Sequence, residues 1–348
     1  QGSLYILEGN YHRLSKVTAD GQVTTLAGSG PGYVDGQGTK AKFNSPIGLS
    51  VAGNGHIHLA DSKNARIRVV TASGLVSTLA GGASSLDGPA LSVAFHSPSG
   101  IAVDSGGALY VSDWGIHRVR KISADGQVST LAGETQGFAE GVGSVAKFYR
   151  PRGLAVDGQG AVYVADENNS RIRKISVNGQ VTTLAGKNKG FADGKGTLAA
   201  FMQPYDVAVG SKGEVYVADR GNQRIRKISA DGTVSTFAGA GTPAMMGSAG
   251  FEDGPGSAAK FNNPSDLVRG PAGNLYIADA YNHRIRRMAP NGAVTTITGS
   301  KMGYLDGPLE EALFYRPGGL AMDSSGLIYV ADTYNHRIRV LSGNGMVS

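Results

Sequence analysis

Residues 151–186 read PRGLAVDGQGAVYVADENNSRIRKISVNGQVTTLAG. Four short runs in this stretch, PRGLAVD, AVYVAD, RIRKIS and GQVTTLAG, are rich in Val, Ile, Thr and Tyr and are separated by Gly, Asn and Asp. β-Branched and aromatic side chains suit a pleated strand, and the small polar residues between them suit tight turns. The stretch therefore predicts four short antiparallel strands.

The second run recurs as YILE, HLAD, YVSD, YVAD, YVAD, YIAD and YVAD, and its closing acids stand 53, 52, 53, 53, 60 and 53 residues apart. So fixed a period marks a repeat architecture. The runs are apolar on both faces of the pleat, as expected of a sheet packed between two others, and no sustained 3.6-residue period points to a helical solenoid. The fold class is all-β: a β-propeller of four-stranded antiparallel blades forming one domain over residues 1–348. The inner run appears six times, beginning at Pro46, Pro98, Pro151, Pro204, Pro264 and Pro317, while the second and third runs appear seven times. Seven blades are expected, the first lacking its inner strand in this chain. Six blades with an overhanging terminus are the alternative.

Composition agrees. Apolar residues make up 41% of the 348 and are dispersed, so no membrane span is expected. The 53 glycines fall at fixed repeat positions, and the absence of cysteine excludes disulfides and thiol chemistry while leaving the compartment open. No apolar leader precedes Gln1, which is read as native sequence with any targeting segment removed or never present. The net charge of +6 is dominated by the fold: 18 of 33 Lys and Arg residues lie in the RIRK-type runs. Nucleic-acid binding would need them gathered on one face, so it is the least favoured class.

The consensus PxGLAVDxxGxxYVADxxNxRIRKIxxxGxVTTLAG resembles the NHL repeat over essentially the whole chain, and the linker GFADGKGTLAAF, residues 190–201, is similar to that of bacterial extracytoplasmic NHL proteins. The resemblance implies a secreted, periplasmic or cell-surface location and a place in a larger multidomain chain. Relatives of this architecture include protein-binding and RNA-binding modules, and lyases or lactonases with a metal in a central channel; fold alone does not choose among them.

Most of the eye-catching polar residues recur in every copy and so belong to the scaffold. The turn acids Asp61, Asp113, Asp166, Asp219, Asp279 and Asp332 are expected to accept backbone N–H bonds and to pair with the arginine five residues on, with the intervening Asn in the left-handed region. The linker acids Asp35, Asp87, Glu140, Asp193, Asp253 and Asp306 are expected to cap a short helical turn, with an Ala and a Phe docked beneath. Calcium or another divalent cation is the alternative use of these acids, and His56 and His58, two apart on one strand, have a metal-ligand spacing.

Function is sought where the copies disagree. Trp114 is the only tryptophan and stands in a turn, either as a binding anchor or packed on a neighbouring blade; Tyr281 and Tyr334 would extend an aromatic surface. Asp206 and Asp266 replace the glycine of Gly48, Gly100, Gly153 and Gly319, and would place two carboxylates at the channel mouth to hold a cation or to share acid–base work. Arg152 and Tyr205, with Tyr149, Arg150, Tyr315 and Arg316, flank the same mouth, and Arg220, which follows the turn Asp219, is a further ligand-binding candidate. Met245 and Met246 lie in a linker seven residues longer than its peers, suited to an adaptable protein contact or simply a tolerated insertion. The expected function is a non-catalytic module binding a protein or glycan on its linker face without a cofactor. The enzyme alternative is a metal-dependent lyase or hydrolase using Asp206 and Asp266.

Overall fold

A computed structural model describes residues 4–18, 23–82, 86–240, 249–322, 326–335, 337–342 and 345–348. These residues form seven antiparallel sheets and only single-turn 3₁₀ segments between them. The protein is a seven-bladed β-propeller. Among the described residues no helix is long and apolar enough to cross a membrane.

Among the described residues the first sheet has three strands, Leu4–Glu8, Arg13–Val17 and Val23–Ala27, and no inner strand, in agreement with the strand tally. The other six begin with the proline-led inner strands Pro46–Val51, Pro98–Val103, Pro151–Val156, Pro204–Val209, Pro264–Arg269 and Pro317–Met322. Four of their second strands, Ile57–Asp61, Leu109–Asp113, Val162–Asp166 and Val215–Asp219, are buried at every position, and Leu275–Asp279 and Ile328–Asp332 at all but one, which accounts for the apolar character of both pleat faces.

Five sheets gain a fifth strand that the sequence pattern does not reveal. Gly36–Gln37, Gly88–Pro89, Gly141–Val142, Gly194–Lys195 and Gly307–Pro308, all from linkers, pair with the fourth strand of the following blade. Two residues are too few to carry a period.

The chain divides into two compact units, one of Tyr5–Lys16 with Val23–Leu184, the other of Gln1–Leu4 and Val17–Gln22 with Ala185–Ser348. In each, the core lies between consecutive sheets. In the first, Ala60, Ile67 and Ala80 pack with Phe95, Leu109, Val111 and Ile122 of the next blade. In the second, Tyr216, Ile225 and Ala238 pack with Phe261, Leu275, Ile277 and Met288. The linker Ala and Phe are docked as expected, with Ala41, Phe43, Ala146 and Phe148 fully buried.

Candidate functional site

In five blades the repeated polar residues form one network, and its wiring differs from the sequence expectation in three respects. In the fifth blade Asp219 pairs not with Arg224, five residues on, but with Arg226, seven on (Nη1–Oδ2, 2.9 Å). Arg226 is fully buried and also donates to Asp193 Oδ1 (2.6 Å) and to the carbonyls of Ala192 (2.7 Å) and Ala200 (3.0 Å). Secondly, Asp193 therefore does not cap the following turn; it accepts from Arg226 and from Thr236 Oγ1 (3.1 Å). Thirdly, the left-handed residue is Gln223 (φ 58°), while Asn222 uses its amide to bond Asp219 Oδ2 (2.7 Å) and Gly190 O (2.8 Å). A side chain alternates face along a strand, so Arg224 and Arg226 share a face, and only the second reaches both acids. Burial pushes the Asp219 carboxyl up to about 6 against the opposing pull of Arg226 and its hydrogen bonds.

The histidines before the turn arginine occupy the left-handed position and tie one blade to the next. His12, His117 and His283 accept at Nδ1 from the backbone N–H of Ser45 (2.9 Å), Arg150 (3.2 Å) and Arg316 (3.1 Å). His58 is buried, and desolvation with the neighbouring His56 lowers its pKa to about 4. No three His, Asp or Glu side chains among the described residues are grouped to hold a metal ion.

Departures from the repeat form three clusters. In the first, Asp206 and Asp266 stand on neighbouring inner strands and are hydrogen-bonded to each other. Asp266 Oδ1 accepts the N–H of Leu267 (2.8 Å), and Oδ2 accepts that of Leu320 (2.7 Å) on the next inner strand. Desolvation, then the charge of Asp266 and its hydrogen bond, hold Asp206 well above the usual carboxylate range. Asp266, raised less because two backbone N–H groups stabilise its anion, is the acceptor. Both carboxyls are raised, Asp206 the more strongly, so the two titrate as a pair that favours retaining a proton between them. Local spacing shows where a side chain at this repeat position is excluded. A Cβ at Gly48 would lie 2.0 Å from Ser99 O and one at Gly100 2.6 Å from Arg152 O, while at Gly319 the nearest atoms are 3.7 Å away.

In the second cluster Trp114 is half-buried beneath two arginines, with Arg150 Cζ 4.5 Å and Arg152 Cζ 5.2 Å from its ring. Arg152 also pairs with Glu167 (2.9 Å), and the buried Trp114 indole N–H has no hydrogen-bond partner among the described residues. Arg220 donates to Asn263 Oδ1 and lies 4.8 Å from the Tyr205 ring.

In the third, Arg316 Cζ lies 4.3 Å from the Tyr281 ring and 4.9 Å from the Tyr334 ring. Both tyrosines are exposed, at 44% and 49%. The sequence singles out these three residues but does not reveal that the arginine lies against both rings. Met245 and Met246 lie outside the described residues.

The NHL repeat model matches residues 95–122, 148–175, 201–228, 261–288 and 314–341, each running from the linker Phe through the third strand. The chain belongs to the NHL-repeat family. A chicken relative named NHL repeat-containing protein 2 is 28% identical over 97% of this chain, which spans 44% of that protein's length. In fold, the chain is similar to virginiamycin B lyase of Staphylococcus aureus (TM-score 0.62, 14% identity, 87% of this chain and 83% of that one). It is also similar to an auxiliary nutrient-binding protein of Bacteroides ovatus (TM-score 0.64, 16% identity, 97% and 82%). Matching curated relatives include proteins of vertebrates, a plant and a fly, so the bacterial setting is carried by the linker resemblance and not by these relatives.

Proposed function

We propose that this NHL-repeat propeller is a non-catalytic binding module that recognises a protein through its inter-strand turns. The observation that carries the reading is Arg316 beside two exposed tyrosines. Tyrosine and arginine are the residues that dominate interface energetics, because they offer large contact area with polar reach. A glycan partner is the alternative occupant. A secreted, periplasmic or cell-surface setting, and further domains in a longer chain, complete the proposal on family resemblance. The test is affinity capture with wild-type protein and with the Tyr281→Ala/Tyr334→Ala double variant, both shown to melt alike. Partners recovered by the wild type should be lost from the variant; identical recovery would sink the reading.

The proton-sharing Asp206–Asp266 pair supports a second reading, a lyase or hydrolase in which Asp206 is the acid and Asp266 the base. Asp266 already accepts two backbone N–H groups, so a cation would compete with both and with the shared proton. Melting the protein with and without millimolar calcium or manganese tests the metal-dependent form. A rise in Tm abolished by Asp206→Asn supports it, and an unchanged Tm removes it.

A further inference from the structure

We propose that Arg316 is the receptor for a carboxylate on an acidic segment of the protein partner, an inference that rests on the binding reading above and names its chemistry. The arginine is firmly placed. Its backbone is left-handed (φ 51°), its N–H donates to His283 Nδ1, and Pro317 follows. His283 meets the edge of Tyr315 (5.6 Å), and Tyr315 packs on Tyr334 (5.1 Å). Tyr315 is itself fixed by its N–H to Asp332 Oδ1 (2.6 Å). The guanidinium then stacks against Tyr281 and Tyr334, which limits its rotation before any ligand arrives.

The charge of Arg316 is unanswered among the described residues. The strand arginines Arg226, Arg286 and Arg339 each meet two aspartates, and Arg220 has Asn263. Arg316 makes no hydrogen bond or ion pair from its guanidinium among the described residues, and the same holds for the Tyr281 and Tyr334 hydroxyls. With rings against the cation, its N–H rim is the direction left for a ligand. That rim is a planar fork matching a carboxylate, and two phenol hydroxyls stand beside it.

The same stacking argues against other anions. Nucleic-acid and sugar rings bind by lying on aromatic faces, and here the arginine already lies against both tyrosines. A phosphate backbone also demands several cations in a row, whereas this cluster offers one. An aspartate or glutamate side chain needs one fork. The device occurs a second time at the same repeat position: Arg150 is also left-handed (φ 60°), bonds His117 through its N–H, stacks on Trp114 and has no acid partner among the described residues.

The test is a fluorescence-anisotropy titration of labelled hexaglutamate at low salt. Hexalysine, a single-stranded oligonucleotide and a trigalacturonate are the competitors. Wild type should bind hexaglutamate, with Arg316→Ala weakening it by about ten-fold and Arg316→Lys, which keeps the charge but loses the fork, weakening it nearly as much. Equal Tm values from circular dichroism would show that both variants are folded. Undiminished binding by Arg316→Ala, or stronger competition by the oligonucleotide or the uronate, would overturn the assignment. Absence of hexaglutamate binding while the double tyrosine variant still loses its captured partner would overturn this inference alone. Capture unaffected by that variant would overturn the binding reading itself.

Discussion

At the scale of single residues, the Asp206–Asp266 pair makes a pH prediction whose sign follows from the direction of the shift. An exposed unfolded-state aspartate titrates near about 3.9, and Asp206 in the folded protein titrates well above that. Between those two values the native state binds a proton that the unfolded state has released, so stability falls as pH rises through the window. The stabilising contribution is complete below the unfolded value and lost above the folded one. Asparagine stays neutral throughout, and its amide can still donate to Asp266. Asp206→Asn should therefore match wild type near pH 4 and melt progressively higher than wild type as pH is raised to 9. Parallel Tm–pH curves for the two proteins would show that no shared proton is present. The pairing was only partly legible in the sequence. Two acids replacing glycine in consecutive copies signalled it, but the proton they share depends on inner strands 60 residues apart in sequence coming within hydrogen-bond reach.

At the scale of the element, the turn between second and third strands shows how the repeat assigns its polar residues. Asp166 and Arg171 face each other across the strand pair, the proximity that a five-residue spacing suggests. Yet Arg171 donates to Asn169 O (2.8 Å) and lies over the Phe138 ring (3.9 Å), while Arg173 enters the interior to meet Asp166 (3.1 Å). A buried guanidinium has five donors to satisfy and needs carbonyls as well as acids, and only the second arginine lies where the linker backbone supplies them, at Ala139 (2.9 Å) and Lys147 (3.1 Å). The linker is thus shaped around the arginine. Its acid, read from the sequence as a cap, serves as a second counter-ion in the blades that carry aspartate there, such as Asp35 to Arg68 (2.5 Å). Local spacing could not reveal this, because the partners are 33 or 34 residues apart.

At the scale of the whole molecule, the architecture was readable because it is periodic: counting inner, second, third and fourth runs separately distinguishes seven blades from six. Contacts between blades are not periodic in any local window, which is why the strands were legible and the clusters around Arg316 and Asp266 were not. Periodicity also predicts how stability is distributed. Ile67 and Ile285 occupy the same third-strand position in two blades, both fully buried, and belong to different core clusters with no residue in common. Their partners differ in detail, since Ile67 faces Ala80 across the sheet where Ile285 faces Thr298. If each blade contributes its own packing and that of its neighbour, Ile67→Val and Ile285→Val should each cost about 0.5–1.5 kcal/mol, the usual loss for one buried methyl group. The double variant should then lose their sum to within about 0.5 kcal/mol, since substitutions that share no packing partner act independently. Urea denaturation followed by far-UV circular dichroism measures all three. A double-variant loss departing from the sum by more than that margin would mean that strain passes beyond adjacent blades, and the propeller would then have to be treated as one packed body and not as a chain of nearest-neighbour contacts.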